Sequence, residues 1–403
     1  MDLTTIREEF PALQAKTFLD AACVSLAPRA ATAAIEKFLQ MTLLCPEASA
    51  TLHHIAMDDM RSEARPLVAK LLNAREDEVA LVESTTQGLS LAAEALPLER
   101  GDRVMLCDLE FMQVAIPWCQ LQDRAGIEID VVASRGGQVT AEDFAARITP
   151  RTRVLAISNV QWSSGFRADL NALSKLCKES EIWLVVDAIQ QLGAVPFDVK
   201  ATRVDVLTCG GHKWLNSPFG TGFLYLRREI QPRLRPPLAG YLSLEPPDGG
   251  WGNYFQTPSI RPVRGYAFAA EARRYEAGGT ANYPGAIGLA ASLQLILDLG
   301  QERIAAHIRG LTDHLIAGLD RLGVEVVTPR APASRAGIVT FTLGPAQQNV
   351  ALMEHLLARK ILVSVRYTSH VGGVRVSCHF FNSADDLKRL LEGVNDFVRG
   401  KSP

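Results

Sequence analysis

A repeating rhythm of apolar and helical segments constrains the fold of this chain more than any other feature. From about residue 75 to residue 226, short apolar runs alternate with small polar turns and stretches of helical periodicity. This alternation is typical of parallel strands joined by helical crossovers, so it predicts an α/β fold. We predict seven strands in one mostly parallel sheet, at residues 79–82, 103–107, 127–132, 154–158, 182–186, 204–207 and 222–226.

The rhythm stops after residue 226, and two different patterns follow. Residues 233–262 are rich in proline, glycine and aromatics, which predicts ordered loops without helices or central strands. Beyond residue 283 the periodicity predicts a small α+β unit. Its helices are expected at 283–299, 301–322, 349–359 and 384–399, and its strands at 324–327, 337–343, 361–365 and 373–380.

The composition argues for a small-molecule ligand. A net charge of -2 over 403 residues, with no run of Lys or Arg, gives no electrostatic reason to expect nucleic acid or an anionic membrane. The first residues lack a signal-peptide pattern and no apolar stretch reaches the roughly 18 residues of a membrane span, so we expect a cytoplasmic protein. Seven scattered cysteines without a CxxC pair predict reduced thiols, no disulfides and no metal site.

The segment WLVVDAIQQLG places Asp187 at the end of an apolar run, with Gln190 three positions later. The carboxyl ends of strands are where open α/β sheets bind ligands. A carboxylate held among apolar neighbours can keep the pyridine nitrogen of a bound cofactor protonated. Asp also caps helices well, and taken alone this motif is more typical of a helix N-cap than of a cofactor site.

The segment DVLTCGGHKWLNSPFGTGFLYL leads from a strand through two glycines to His212, Lys213 and Trp214, and then into another strand. Glycines allow the backbone to approach a ligand closely. Burial among small and aromatic residues lowers the pKa of a lysine and favours the neutral amine that forms Schiff bases. Most lysines are surface residues, but the position of Lys213 after Asp187 favours the Schiff-base interpretation.

Together these segments resemble the fold-type I enzymes that depend on pyridoxal 5′-phosphate (PLP). The resemblance is to the class V aminotransferase superfamily, which includes cysteine desulfurases, selenocysteine lyases and isopenicillin N epimerases, and it covers nearly the whole chain. It implies that Asp187 pairs with the pyridine nitrogen and that Gln190 bonds the PLP 3′-oxygen. It further implies that His212 reaches the phosphate and that Lys213 is the Schiff-base lysine.

Two further segments resemble parts of the family that hold the cofactor phosphate. ESTTQGLSLAA is similar to a turn at a helix start, where Thr85 and Thr86 would contact the phosphate through N–H groups and hydroxyls. These residues would equally serve as an ordinary capping turn. Gly210 stands where desulfurases usually have Ser, so the resemblance predicts one missing hydroxyl contact to the phosphate.

Two other positions match residues around the cofactor ring. In DLEFMQVAIPW, Phe111 stands where an aromatic residue, usually His in desulfurases, stacks on PLP. A phenyl ring can stack but cannot transfer protons, and on its own Phe111 would also be typical of the core. In ISNVQWSSGFRADL, Asn159 matches the family residue near the PLP 3′-oxygen and the substrate. The neighbouring Gln161 and Trp162 are candidates for the pocket wall.

The resemblance also has consequences for assembly and domain organisation. In ARRYEAGGTANYPGAIGL, Thr280 resembles the residue that reaches the phosphate of the neighbouring subunit, with one extra glycine in the pattern. This implies a homodimer with active sites at the interface. We predict a large PLP-binding domain over residues 18–283 and a small domain formed by 1–17 and 284–403.

The segment ILVSVRYTSHVGGVRVSCHFFN is predicted to bind the substrate. Arg375 matches the family arginine that holds the substrate α-carboxylate by a two-pronged contact, although a surface ion pair is the simpler alternative. Arg366 precedes the loop and is a second candidate for substrate binding. Tyr367 and His370 are candidates for substrate contacts and for a second acid or base.

The same segment bears on the type of reaction. Cysteine desulfurases need a thiolate between these two arginines, and RYTSHVGGVR contains no cysteine, so a persulfide mechanism on this loop is unsupported. Strand alternation puts Cys378 on the opposite face from Arg375, which predicts a core residue. Cys23, in FLDAACVSLAP, lies where the family's N-terminal turn borders the pocket, and we interpret it as a buried small residue.

The predicted enzyme acts on an α-amino acid. We expect the amine of the substrate to displace Lys213 and Arg375 to orient the substrate carboxylate. The freed Lys213 then removes the Cα proton. By family proximity we predict a C–S lyase or related α,β-eliminating enzyme, with an aminotransferase or an amino-acid epimerase as alternatives. A third alternative is a PLP-binding protein without catalysis. The sequence leaves the substrate side chain open.

Overall fold

The computed structural model describes residues 3, 5–276 and 279–400. Two sheets and a short strand pair are built from the strands of this part of the chain. In chain order these are β1 Thr17–Phe18, β2 Val79–Val82, β3 Arg103–Cys107, β4 Glu128–Val132, β5 Thr152–Ser158, β6 Trp183–Asp187, β7 Val206–Gly210, β8 Gly222–Leu226, β9 Glu325–Val326, β10 Ile338–Thr342, β11 Ile361–Leu362, β12 Ser364–Thr368 and β13 Val371–Ser377.

Helices cover the sheets. In chain order the α-helices are α1 Arg29–Leu44, α2 Ala50–Ser62, α3 Ala64–Leu72, α4 Thr85–Ala95, α5 Met112–Ala125, α6 Ala141–Ala145, α7 Leu170–Glu179, α8 Gly250–Phe255, α9 Tyr283–Leu299, α10 Gln301–Arg321, α11 Ala346–Ala358 and α12 Ala384–Val398. Within the described residues, no helix combines the length and the apolar character needed to cross a membrane.

The large sheet confirms the predicted α/β fold. Its seven strands lie in the order β2-β8-β7-β6-β5-β3-β4, and only β8 runs antiparallel to its neighbours. Alternate residues of β6 enter two different cores, with Leu184 and Val186 on one face and Trp183 and Val185 on the other. Both faces are therefore covered, which explains why the central strands are apolar at every position.

A smaller antiparallel sheet has the order β12-β13-β10-β9, and β1 pairs with β11 in parallel beside it. The predicted alternation of strands and helices in this region is confirmed. One predicted strand, at 361–365, is in fact two, because β11 pairs with the N-terminal strand and β12 pairs with β13. Asp20 also bridges to Ser377, so the N-terminal segment meets the end of β13.

The segment rich in proline and glycine contains more regular structure than predicted. It includes the short helix α8 and a 3-10 turn at Tyr241–Ser243, so the expectation that it lacks helices was wrong. The ring of Trp251 lies 5.8 Å from that of Phe255 and 5.2 Å from that of Tyr241. Packing of these aromatic rings outweighs the weak helix propensity of the surrounding glycines and prolines.

Candidate active site

Three neighbouring strands of the large sheet bring the predicted cofactor residues together. Asp187 is the last residue of β6, and Asn159 directly follows β5. The register pairs Asp187 with Ser158 on one side and with Thr208 of β7 on the other. Lys213 follows the end of β7 by three residues. The carboxyl ends of parallel strands share one edge, so local sequence places these side chains at a common site.

Asp187 is a buried carboxylate with few partners. Its Oδ1 accepts a hydrogen bond of 2.9 Å from the Ile189 N–H, and the described residues offer it no ion pair within 4 Å. Burial raises its pKa to about 6, opposed by the Ile189 bond and by the charge of Lys213. No helix follows Asp187 before β7, so the helix-cap alternative is wrong. A protonated ring nitrogen would supply the missing cation.

Lys213 is half-buried rather than a surface lysine. Its pKa is lowered to about 8, mainly by desolvation and to a smaller extent by the charge of Arg375, while the charge of Asp187 opposes the shift. Its Nζ lies 6.0 Å from the centroid of the Phe111 ring. More of the Lys213 side chain is therefore in its uncharged form near neutral pH than for an ordinary lysine. The uncharged amine can act as a nucleophile or base.

Aromatic side chains form one wall of the site. Phe111 caps the start of α5 and keeps 38% of its surface exposed, so it is not a core residue. Its ring meets Trp162 edge-on at 5.2 Å. The Trp162 carbonyl accepts a hydrogen bond of 2.9 Å from Arg375 Nη1. The wall thus runs from Lys213 to the predicted carboxylate clamp.

Glu110 holds this wall in place and was missed from sequence. Its buried carboxylate accepts from the Ser158 backbone N–H at 3.0 Å and from Gln161 Nε2 at 2.9 Å. These bonds tie the residue before Phe111 to the strand end that carries Asn159. Burial raises the pKa of Glu110, and its hydrogen bonds oppose that shift. The sequence contained one signal for this role, because Glu110 is an acidic residue directly before the predicted ring-stacking residue Phe111.

The predicted phosphate end lies where α4 begins. Thr85 Oγ1 accepts a hydrogen bond of 2.7 Å from the Gly210 N–H, and Thr86 is exposed at the next position. A Cβ added at Gly210 would lie 2.9 Å from Thr85 Oγ1. The Thr85 hydroxyl therefore occupies space that a side chain at position 210 would need. The role of both threonines in binding phosphate stays a prediction.

His212 has an environment that keeps its ring neutral. Burial and the charge of Lys213 lower its pKa to about 4. Its ring stacks on Phe219 at 5.1 Å between centroids. A neutral imidazole can still donate one hydrogen bond to a phosphate oxygen.

The two amides predicted near the PLP 3′-oxygen differ in availability. Gln190 Nε2 donates to the Ala22 carbonyl at 3.0 Å, and Gln190 Oε1 accepts from Trp214 Nε1 at 2.8 Å. Asn159 is buried and its Oδ1 has no partner. An unpartnered buried amide oxygen calls for a ligand, so Asn159 is the freer of the two to contact a cofactor.

The substrate end is formed by the small sheet and the N-terminal segment. Arg375 is buried, with 2% of its side chain exposed, and its Nη2 lies 3.1 Å from Asp20 Oδ1. It is a buried pair, not the surface ion pair considered as the alternative. Burial lowers the pKa of Arg375, opposed by Asp20, and its Nε has no partner. Arg366 lies on the same face, because it pairs with Gly373, two residues from Arg375.

The remaining predicted residues lie apart from this cluster. Tyr367 is on the opposite face of β12, and its phenolic oxygen accepts from Asn349 Nδ2 at 2.7 Å. His370 is exposed in a two-residue turn with Ser369, both with positive φ, so the predicted loop is a tight hairpin. Thr280 is exposed, which leaves its predicted contact with a neighbouring subunit open.

Cys378 lies in the core, as predicted. It is fully buried in the hydrophobic cluster of the small sheet, together with Val339 and Val374. Cys23 differs from its predicted burial, because it is half-exposed. Its Sγ lies 3.6 Å from Arg366 Nη2.

Residues 17–390 match the family model described as aminotransferase class-V. The chain belongs to this family. The resemblance noted from Asp187, Lys213 and Arg375 is thereby confirmed, and the protein is a PLP-dependent enzyme.

Relatives and solved structures agree with the family assignment. A protein of Pyrococcus abyssi named a probable cysteine desulfurase is 28% identical over 406 residues, covering 98% of this chain and 97% of its own. The apo structure of a cysteine desulfurase from Thermococcus onnurineus matches with a TM-score of 0.85 at 25% identity, covering 98% of both chains. The cystine C–S lyase C-DES has the same fold, with a TM-score of 0.85, 23% identity and coverage of 98% of this chain and 100% of its own.

The residues present fit PLP as the cofactor of this family. Asp187 offers a buried carboxylate without an ion pair, Asn159 offers an unpartnered amide oxygen, and Lys213 offers an amine of lowered pKa. The described residues contain no cluster of three or more His, Cys, Asp or Glu able to hold a metal ion.

Proposed function

We propose that this enzyme cleaves the bond between Cβ and sulfur in a sulfur-bearing α-amino acid, by α,β-elimination. The observation that carries the proposal is the hairpin between Arg366 and Arg375. It is closed by a two-residue turn and contains no cysteine, while the base and the carboxylate clamp are retained. The names of the relatives, a probable cysteine desulfurase and a cystine C–S lyase, support a cysteine-type substrate.

The substrate carboxylate would bind at Arg375. Its Nε is unpartnered, and its Nη atoms are already fixed by Trp162 and Asp20. A guanidinium held on both sides is preorganised, so little rotamer entropy is lost when the carboxylate arrives. This anchor directs the Cα of the substrate towards Lys213, across the aromatic wall of Phe111 and Trp162.

Proton transfer would fall to Lys213. PLP, when bound, supplies the electron sink that makes the Cα proton acidic. Burial lowers the pKa of Lys213 to about 8 in the cofactor-free protein, and its Nζ would take up that proton after the substrate amine has replaced it. Asp187 provides the opposite charge for the ring nitrogen, and Phe111 supports the ring without taking part in proton transfer.

The overall reaction balances without an oxidant. Elimination from L-cysteine with one water gives pyruvate, ammonia and hydrogen sulfide. Elimination from L-cystine, again with one water, gives pyruvate, ammonia and cysteine persulfide. In both cases the sulfur leaves with the electron pair of the Cβ–S bond.

The test is to incubate purified holoenzyme with L-cysteine and L-cystine and to measure pyruvate. Pyruvate from either substrate, and none from the Lys213→Ala variant, is the expected result. Conversion of the cofactor to its amine form by an amino donor without pyruvate would instead identify an aminotransferase. Exchange of the Cα proton with inversion and no release of sulfur would identify an epimerase.

We further propose that the enzyme works as a homodimer in the cytoplasm. Several large apolar side chains are exposed on α1 and in the segment before α9, among them Leu43 at 75% and Val263 at 89%. Leu39 and Leu43 are four residues apart on α1 and therefore share one face of this helix, and an exposed apolar face is typical of protein interfaces. Sedimentation of the purified protein at twice the monomer mass is expected, and Leu43→Asp should shift it towards monomer.

A further inference from the structure

Cys23 lies within the candidate site. Residues on both sides of it in the chain, Ala22 and Ser25, form hydrogen bonds with that site. The carbonyl of Ala22 accepts from Gln190 Nε2 at 3.0 Å. The N–H of Ser25 donates to the carbonyl of His212 at 2.9 Å. Both partners belong to the segments that surround Lys213. The turn that carries Cys23 therefore packs directly against the predicted cofactor end.

The side chain of Cys23 faces the substrate end. Its Sγ is 3.6 Å from Arg366 Nη2. Lys213 and Arg375 lie close enough for their charges to interact with Cys23. This half-exposed sulfur therefore lies at the substrate end, in contact with one guanidinium and near two further cationic groups.

An independent feature indicates that a ligand binds beside this sulfur. The Arg375 side chain is 98% buried, since only 2% of it is exposed, and its Nε has no hydrogen-bond partner. Unpaired donors on a buried guanidinium are costly unless a ligand meets them. Arg375 and Arg366 lie on the same face of the hairpin, and the Cys23 sulfur contacts Arg366. A ligand bound on this face would therefore be close to both the Cys23 sulfur and Arg375.

The other cysteines differ in position. Four are buried, and burial raises the pKa of each thiol: Cys107, Cys177, Cys209 and Cys378. Cys45 is exposed directly after α1, and Cys119 is exposed on α5. Among the cysteines, all of which are in the described part of the chain, Cys23 is the one beside both Lys213 and the arginines.

We propose that Cys23 accepts the outer sulfur atom of a persulfide released by the reaction and holds it as a Cys23 persulfide. The inference rests on the proposed C–S cleavage and names its donor, a disulfide-bearing amino acid such as L-cystine. Elimination from L-cystine releases cysteine persulfide. The Cys23 thiolate attacks its outer sulfur, a new S–S bond forms at Cys23 Sγ, and the old S–S bond breaks.

The step is an exchange between sulfur atoms and needs no further oxidant. Cysteine leaves as its thiolate with the electron pair of the broken bond, and the proton stays on the transferred sulfur. Arg366 stabilises the attacking thiolate before the step. The site thereby retains reduced sulfur without the loop cysteine that its hairpin lacks.

The experiment uses reduced, purified holoenzyme incubated with L-cystine in the absence of oxygen. The sample is alkylated and digested, and the peptide containing Cys23 is weighed by mass spectrometry while pyruvate is measured in parallel. One additional sulfur atom on Cys23 is expected. Lys213→Ala should carry no additional sulfur, because it cannot produce the persulfide.

Variants around Cys23 sharpen the assignment. Arg366→Met should slow sulfur loading about tenfold, and Arg366→Lys, which keeps the positive charge, should recover part of it. Cys119→Ser is the matched control and should load Cys23 as the wild type does.

Each outcome decides between the two proposals. Pyruvate without additional sulfur on Cys23, or with equal sulfur on Cys45 and Cys119, overturns the role of Cys23 and leaves the lyase intact. A cysteinyl adduct on Cys23 in place of a single sulfur also overturns it, because that product arises by direct exchange with L-cystine. Absence of both pyruvate and sulfur overturns the proposed function together with the inference.

Discussion

The two ends of the site are built on different principles. At the cofactor end, Asp187 and Lys213 follow neighbouring strands of one sheet, and burial moves their pKa values to about 6 and about 8. At the substrate end, Arg375 is paired with Asp20, and Arg366 contacts a sulfur. The first end holds groups poised between charge states, and the second holds fixed charges.

This difference assigns separate tasks to the two ends. Groups with a pKa near the working pH exchange protons efficiently, so the chemistry of Cα belongs at the cofactor end. Charges that remain constant over that range suit recognition of a carboxylate. Variants at the first end should therefore change the rate, whereas variants at the second should change substrate binding.

The largest effect is expected from Lys213→Ala. Loss of the base and of the Schiff-base amine should reduce kcat by about 10³-fold or more and abolish the visible absorbance of the holoenzyme. Steady-state rates and an absorbance spectrum are the measurements. Lys175→Ala, at an exposed lysine on α7, is the control. Full activity in Lys213→Ala would show that proton transfer does not take place at the cofactor end.

Arg375→Lys should act mainly on substrate binding. Lysine cannot reproduce the planar fork of arginine, so KM should rise by about 100-fold with a smaller change in kcat. Arg330→Lys, at an exposed ion pair, controls for the loss of a guanidinium. A thermal melt would establish that the variant folds. A fall in kcat at constant KM would contradict the division between the two ends.

Asp187→Asn should change how the stability of the apo protein depends on pH. The folded pKa of Asp187, about 6, lies above its ordinary value, so the folded state binds more protons and loses stability as pH rises from about 4 to 6. The variant lacks this loss and should be more stable at pH 7 by roughly 2–3 kcal/mol.

Urea unfolding of both apo proteins at pH 4 and pH 7 measures the difference. Parallel pH profiles would mean that burial does not displace the pKa of this carboxyl. The same comparison with PLP bound should reverse the order, because the ring cation then stabilises the ionised carboxylate.

The smallest effect is expected from Gly210→Ser, which adds the hydroxyl usual in desulfurases. Its Cβ would lie 2.9 Å from Thr85 Oγ1, and such overpacking costs about 1 kcal/mol or more. Thermal unfolding measures the cost. Adding Thr85→Ala to this variant should recover part of the stability, since the crowded atom is gone. Unchanged stability in the single variant would show that Thr85 moves freely.

Much of the cofactor end was predictable because its determinants are local. Apolar runs locate the strands, and parallel strands present their carboxyl ends along one edge, so Asp187, Asn159 and Lys213 were expected together. Glu110 was missed because its importance depends on three hydrogen bonds from two distant residues, Ser158 and Gln161. The partners of Gln190 were likewise invisible, since Ala22 lies 168 positions away.

The substrate end was predictable only in part. The match of Arg375 to the family identified a charged residue, but its burial and its partner Asp20 came from the structure. Tyr367 was expected to face the substrate, although strand alternation beside Arg366 already favoured the opposite face. The helix α8 was missed because propensity predicted a loop where aromatic packing decides.

The sequence by itself determined the α/β fold, the family and the cofactor, because each depends on short segments with a fixed order. Only the tertiary structure decided what surrounds Cys23 and Arg375. Their partners Arg366 and Asp20 lie 343 and 355 positions away along the chain, and no local pattern encodes such a contact. The physical reason is that burial and charge at this end arise from packing the N-terminal segment on the C-terminal sheet.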